Sequence, residues 1–165
     1  MGDLYDEVAD EYLGVRPPKK RGTLAQTDLE DTLRRAGWDE KHVPIMSAIG
    51  MAESSGRSDA YNPGVGHGGR PTKEKSVGLW QVNTLAHPQY DKEKLKDPDY
   101  NAKAALDIFK KQGLKAWGAY TDGRYKRHYK ATPNVNPYDA VADEYLSQEN
   151  HLLPLSNPPS RPLLP

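Results

Sequence analysis

AIGMAESSG, residues 48–56, sets one acid, Glu53, at the end of an apolar run that closes on Ser-Ser-Gly. Read as a helix, the run places Glu53 four residues after Ile49 and seven after Met46, on one face with both. A carboxyl on an apolar face loses hydration, and desolvation disfavours its charged form. That is the direction a general acid working near neutral pH requires. A Glu near a helix end is ordinarily just exposed, so position alone assigns nothing to Glu53. Its neighbours in the chain decide.

Outward from this run the sequence reads as helices separated by loops. Thr27, Asp28, Leu29 and Glu30 fit a capping box, and Gly37 is a natural C-terminal stop, so residues 28–36 are expected to be helical with Leu29, Leu33 and Ala36 facing inward. Asp39 can cap a second helix that runs to about Ser54. Residues 55–75 are rich in Gly, Pro, Asn and charge and read as loop, while residues 76–83 form an apolar segment too short to assign. Asp97 and Pro98 open a third helix that ends at Gly113, with Ala102, Ala105, Leu106 and Phe109 on one face. Past Lys130 come loop and a Pro-rich tail. The expected architecture is mainly α, a single domain with a small irregular or β segment between Ser55 and Asn83 beside a cleft. The expected divisions are 1–22, an acidic helix motif and basic linker; 23–130, the domain; and 131–165, a second motif and tail.

Three segments then occur in a fixed order: AIGMAESSG, SVGLWQVN (residues 76–83) and KAWGAYTDGRY (residues 115–125), with one helix between the last two. In this order they resemble the SLT-type lytic transglycosylase family within the lysozyme-like fold. That family has a Glu-Ser pair at a helix end, here Glu53 and Ser54. It has a GLMQ or GLWQ-type turn, here Gly78, Leu79, Trp80 and Gln81. It has an Ala-Tyr-Asn-type motif after a further helix, here Ala119 and Tyr120, with Thr121 in place of Asn. The helix opening DPDYNAKAALDIF also looks like the family's Asn-Ala-containing helix. The resemblance covers roughly residues 24–129.

The resemblance implies cleavage of the glycosidic bond between MurNAc and GlcNAc in peptidoglycan. Glu53 would protonate the glycosidic oxygen, then take the proton from the MurNAc 6-hydroxyl as a 1,6-anhydro ring closes. It further implies that Tyr120 hydrogen-bonds Glu53 and orients it. Gln81 carries an amide suited to sugar hydroxyls or the acetamido group, and Ser76 and Asn83 flank the turn as further substrate-binding candidates. Gly78 permits close backbone approach. Trp80 is either a sugar-stacking or a core residue. A muramidase is the alternative, because a hydrolase needs a second carboxylate about 5–9.5 Å away. Asp59 and Glu74 lie in the loop after the Glu53 helix, whereas Asp97 is better explained as a helix cap. A third reading is an inactive wall- or nucleic-acid-binding module, for which RYKRHYK (residues 124–130) interleaves Tyr with cations.

Composition sets outer limits. There is no cysteine, which excludes disulfide staples, a thiolate zinc site and a thiol nucleophile. The 23 Lys+Arg balance 23 Asp+Glu, but residues 38–130 hold 16 of the former and 11 of the latter, a basic middle suited to an anionic polymer or simply a solvated surface. Gly64, Gly66 and Gly69 match G-x-G-x-x-G without a flanking strand or helix, so no dinucleotide site is expected. His42, His67, His87, His128 and His151 lack metal-ligand spacing, and no metal or cofactor is expected. The opening residues, MGDLYDEVADEYL, are acidic where a signal peptide is basic, and no run approaches the about 18 apolar residues of a membrane span.

The ends share a repeat: YDEVADEYL at residues 5–13 and YDAVADEYL at residues 138–146, identical at eight of nine positions. Each places Tyr, Val, Ala, Tyr and Leu on one helical face. They read either as twice-used docking helices or as remnants of duplication packing on their own domain. A wall-cutting domain with such flanks and no signal peptide looks like a bacteriophage product. Its expected place is at the bacterial wall and in the virion, docked through the repeats to a phage structural protein.

Overall fold

The computed structural model describes residues 21–64, 70–72 and 74–130. The two nonapeptide copies, most of the RPPKKR linker, the Pro-rich tail, Gly66, His67, Gly69 and His151 lie outside the described residues. In chain order the elements are α1 (Gln26–Arg35), α2 (Val43–Ser54), β1 (Tyr61–Asn62), β2 (Ser76–Val77), β3 (Val82–Asn83), a 3-10 turn (Lys94–Lys96), α3 (Pro98–Gln112), a second 3-10 turn (Leu114–Ala116), α4 (Gly118–Thr121) and a last 3-10 turn (Arg124–Arg127). The architecture is mainly helical with a small antiparallel sheet, as expected. Among the described residues no helix is long and apolar enough to cross a membrane, and no group of three metal-ligating side chains converges.

Two helix starts differ from expectation. The first helix begins at Gln26 with Ala25 as its N-cap, not at Asp28. Asp28 is itself the reaching residue: its Oδ2 accepts the Ala25 N–H at 2.9 Å, satisfying a donor that a helix start leaves without a partner. The second helix begins at Val43, four residues after Asp39, because Pro44 belongs in a first turn. Deeper in a helix its ring would strike a preceding carbonyl. Asp39 instead accepts the Lys41 N–H at 3.0 Å in the turn before α2. The third helix is as expected: Asp97 accepts the Tyr100 N–H at 2.9 Å, Pro98 occupies the first turn, and Gly113 ends it at φ 65°.

Helix α2 is the centre of the fold. Every residue from Val43 to Gly50 is buried, the mark of a helix with neighbours on all sides. Gly50 is required there: a Cβ would lie 2.8 Å from Leu29 Cδ2 and 3.0 Å from Trp80 Nε1. Its absence lets α1 and the Trp80 indole close on α2. All three tryptophans are buried and each indole donates to a backbone carbonyl of another segment: Trp38 to Ala102 O at 3.1 Å, Trp80 to Met46 O at 2.9 Å and Trp117 to Trp80 O at 2.9 Å. An aromatic ring of this size supplies large apolar burial, and its single donor then fixes orientation.

The segment left unassigned in sequence is a β-hairpin. Strand β2 pairs with β1 through Tyr61↔Val77 and Asn62↔Ser76, and with β3 through Ser76↔Asn83 and Val77↔Val82. This small sheet forms one wall of a cleft. The end of α2 and the 113–127 segment form the rest.

Candidate active site

The GLWQ turn joins β2 to β3, and its shape is set by one side chain from α3. Asn101 is fully buried. Its Nδ2 donates to Val77 O at 3.0 Å and Leu95 O at 2.9 Å, while its Oδ1 accepts the Trp80 N–H at 3.0 Å. Two backbone groups of the hairpin and one of the Lys94–Lys96 turn are thereby paired. Gly78 has φ +84°, and a Cβ on it would collide with Asn101 Nδ2 and Leu95 O. The glycine therefore serves the approach of Asn101, rather than the approach of substrate that the sequence led us to expect. Trp80 is likewise a core residue: it is fully buried, which removes the sugar-stacking reading.

Gln81 closes the turn at φ +45°, a left-handed value uncommon for a residue with a Cβ. Its Nε2 donates to Gly78 O at 2.9 Å and to Ala60 O at 3.3 Å. With both amide protons engaged, Oε1 is the group left for a ligand. Ser76 and Asn83 face each other across the β2–β3 register. Asn83 Oδ1 accepts the backbone N–H groups of Lys75 and Leu85 at 3.2 and 3.0 Å.

Glu53 emerges at the last turn of α2, where the helix passes from core to cleft. Its side chain is 14% exposed. The backbone N–H of Ala119 donates to Oε1 at 2.8 Å, and Nη2 of Arg124 lies 3.9 Å from the same oxygen. Ser54 next to it is buried, and its hydroxyl donates to Gly50 O at 2.9 Å, so the Ser of the Glu-Ser pair stabilises the helix end. Ser55 then takes a left-handed conformation at φ 55° and Gly56 follows at φ +75°, turning the chain away.

The cleft cavity has a volume of about 270 Å³ and brings Glu53 together with Ser76, Gln81 and Asn83. Tyr120 lines a neighbouring hollow instead, its ring stacked on Tyr125 at 5.4 Å. From the Ala-Tyr-Thr motif the backbone of Ala119 meets Glu53 Oε1. Thr121, where the resemblance leads one to expect Asn, donates through Oγ1 to Gly118 O at 3.0 Å. Of the carboxylates weighed as partners, Glu74 lines the cavity with Glu53. Asp59 is exposed, and Asp97 is the α3 cap.

Among the cleft residues not singled out in sequence as site residues are Asn62, His87, Trp117 and Arg124. Burial, and then the Lys111 ammonium, push the His87 imidazole below its ordinary value. Arg124 was hidden in the basic run RYKRHYK. That run alternates because Tyr125 and Tyr129 pack against the core while Arg124 turns to the cleft.

A family model described as lysozyme-like domain matches residues 30–119. The chain belongs to this lysozyme-like family. No curated protein matches it. The family match runs from within α1 through the Glu53 helix, the hairpin and α3 to the start of α4. The chain is on this basis a peptidoglycan-cleaving enzyme of the lysozyme-like kind, acting at the cell wall.

Proposed function

We propose that the chain is a lytic transglycosylase in which Glu53 is the single acid and base. The observation that carries this reading is one shielded carboxyl at the mouth of a polar cleft, with Oε1 already engaged by Ala119, while the other carboxylate lining that cleft, Glu74, is exposed. The protonated carboxyl of Glu53 gives its proton to the oxygen linking MurNAc C1 to GlcNAc. The C1–O bond breaks and GlcNAc leaves with that proton. The carboxylate then removes the proton of the MurNAc 6-hydroxyl, whose oxygen bonds to C1. The ring closes and Glu53 is protonated again. Gln81, Ser76 and Asn83 hold the sugar, and Tyr120 supports the α4 segment that carries the Ala119 donor.

The product tests this directly. Digested wall analysed by mass spectrometry should yield muropeptides ending in 1,6-anhydro-MurNAc, lighter by one water than reducing ends. Reducing ends as the sole product would mean hydrolysis. The presence of Glu74 in the same cavity favours that second reading over one through Asp59. In that case Glu74→Gln should lower the rate about 100-fold or more, and under the transglycosylase reading it should change the rate only a few-fold.

We further propose that residues 23–130 are the catalytic domain of a phage enzyme carried in the virion, and that the two nonapeptide copies dock it to one structural partner. Near-identity of two segments across a domain that is not itself duplicated supports reading by the same kind of pocket. Two weak sites on one chain raise effective concentration if the partner offers two pockets. A chain trimmed to residues 22–130 should fold and cut walls as fast as the full chain. Unfolding or inactivity of that fragment would place the repeats in the domain's own core.

A further inference from the structure

The cleft holds a guanidinium that neither the motif order nor the proposed chemistry uses. Gly123, at φ +79°, turns the chain after α4 so that Arg124 points back across the cleft. Asp122 grips it twice: Oδ2 accepts Nε at 2.7 Å, and Oδ1 accepts the Arg124 backbone N–H at 2.9 Å. These two contacts hold the Asp122 carboxyl below its ordinary range. The far end of the guanidinium reaches α2. Nη1 donates to Ala52 O at 3.4 Å, and Nη2 stands 3.9 Å from Glu53 Oε1.

From this we infer that Arg124, tethered by Asp122, is a positioning residue that pins the Glu53 carboxyl through Oε1 and so reserves Oε2 for the proton transferred to the glycosidic oxygen. The geometry carries each part. Oε1 accepts the Ala119 N–H at 2.8 Å and faces the guanidinium charge at 3.9 Å, and an oxygen that accepts a hydrogen bond beside a fixed positive charge is the poorer of the two to carry a proton. Two anchors from the same chain segment, one main-chain and one side-chain, restrain the carboxyl torsion that a single hydrogen bond leaves free. Arginine suits the task because its planar fork bridges several acceptors at fixed spacing, whereas a lysine offers a point charge on a flexible stem. The Asp122 contact is what gives the fork a defined aim. The side chain of Arg124 is 43% exposed, and an untethered arginine there would sample many rotamers.

This inference rests on Glu53 being the acid. It is tested on the full chain by measuring kcat and KM for release of soluble fragments from labelled peptidoglycan, for wild type, Glu53→Gln, Arg124→Gln, Arg124→Lys, Asp122→Asn and the Arg124→Gln/Asp122→Asn pair. Arg124→Gln should lower kcat about 10-fold with KM within about two-fold, the signature of lost alignment in the transition state. Arg124→Lys should recover part of that loss. Asp122→Asn should cost about three-fold alone and nothing further once Arg124 is Gln, since it acts through the guanidinium. A rise in KM with kcat intact would make Arg124 a substrate contact and overturn the positioning role. Full kcat in Arg124→Gln while Glu53→Gln is dead would also overturn it, leaving the acid assignment untouched. Near-normal lysis by Glu53→Gln would instead remove the reading on which both depend. Should Arg124→Gln fail to fold, the Asp122→Asn and Arg124→Lys values decide alone: wild-type kcat in both overturns the inference.

Discussion

Replacing Glu53 by Gln is expected to reduce wall solubilisation by about 100- to 10,000-fold, the range a general acid/base contributes. The fold should not change. Glu53 Oε1 serves as acceptor for the Ala119 N–H, and the Gln carbonyl oxygen can take that role in the same place. What Gln cannot do is give up and regain a proton at the other position. Unfolding temperature should therefore match wild type while turnover is lost. Glu53→Asp separates reach from chemistry. It keeps an ionisable carboxyl but, one methylene shorter, it cannot both accept from Ala119 and extend into the cleft, and it should also lose most activity. Lysis by Glu53→Gln at near wild-type rate would remove Glu53 from the centre of the mechanism.

The second large effect is on stability, at Asn101. Asn101→Leu keeps the branched four-atom skeleton and removes every polar atom, leaving the Trp80 N–H, Val77 C=O and Leu95 C=O without their partner in a fully buried site. An orphaned buried polar group costs about 1–3 kcal/mol. Three of them amount to ~3 kcal/mol or more, against a total stability of about 5–15 kcal/mol for a domain. At about 4 °C or more per kcal/mol for a domain near this size, the unfolding midpoint should fall by at least ~10 °C. Asn101→Asp should fall similarly, because its second oxygen would face two carbonyl oxygens. Both variants should lose lysis as the hairpin wall of the cleft loosens. A midpoint within ~2 °C of wild type in Asn101→Leu would show that the three bonds contribute little net stability.

The sequence and the structure agree where a residue type has one strong local consequence. Asp97, Pro98 and Gly113 bounded α3 without ambiguity, because capping, a fixed φ and a left-handed exit are all local properties. Pro44 carries the same kind of information about where α2 begins, but Asp39 offers a rival cap in the sequence. Asp28 was read one step along the capping box, as the residue after a Thr27 cap, when it is the acid that reaches back to Ala25. A small irregular or β segment was legible between Ser55 and Asn83, but its strands were not, because two-residue strands are too short for alternation to register and the turn joining β2 to β3 is held by Asn101 on a distant helix.

The site divided along the same line. Glu53, Ser76, Gln81 and Asn83 sit around one cavity, and their order along the chain was enough to group them. Gly78 is expected from sequence to admit a ligand and Trp80 to serve either ligand or core; the structure turns both toward the core, since nothing local distinguishes a glycine that admits an asparagine from one that admits a sugar. Arg124 was legible only as charge. Its aim depends on the Gly123 turn and on Asp122, which lies two residues before it, a spacing that no helical or strand periodicity flags.

The bond from Ala119 to Glu53 spans 66 residues of chain, and this has a bearing on the cell that makes the protein. A ribosome releases the Glu53 helix well before α4. Until the segment carrying Ala119 and Arg124 has emerged and folded back, the acid has neither its fixed neighbour nor the far wall of its cleft. Partial products, whether stalled in translation or clipped between α3 and α4, are expected to be inert toward the wall. Cutting power is then expected only of a chain long enough to hold both ends of that bond.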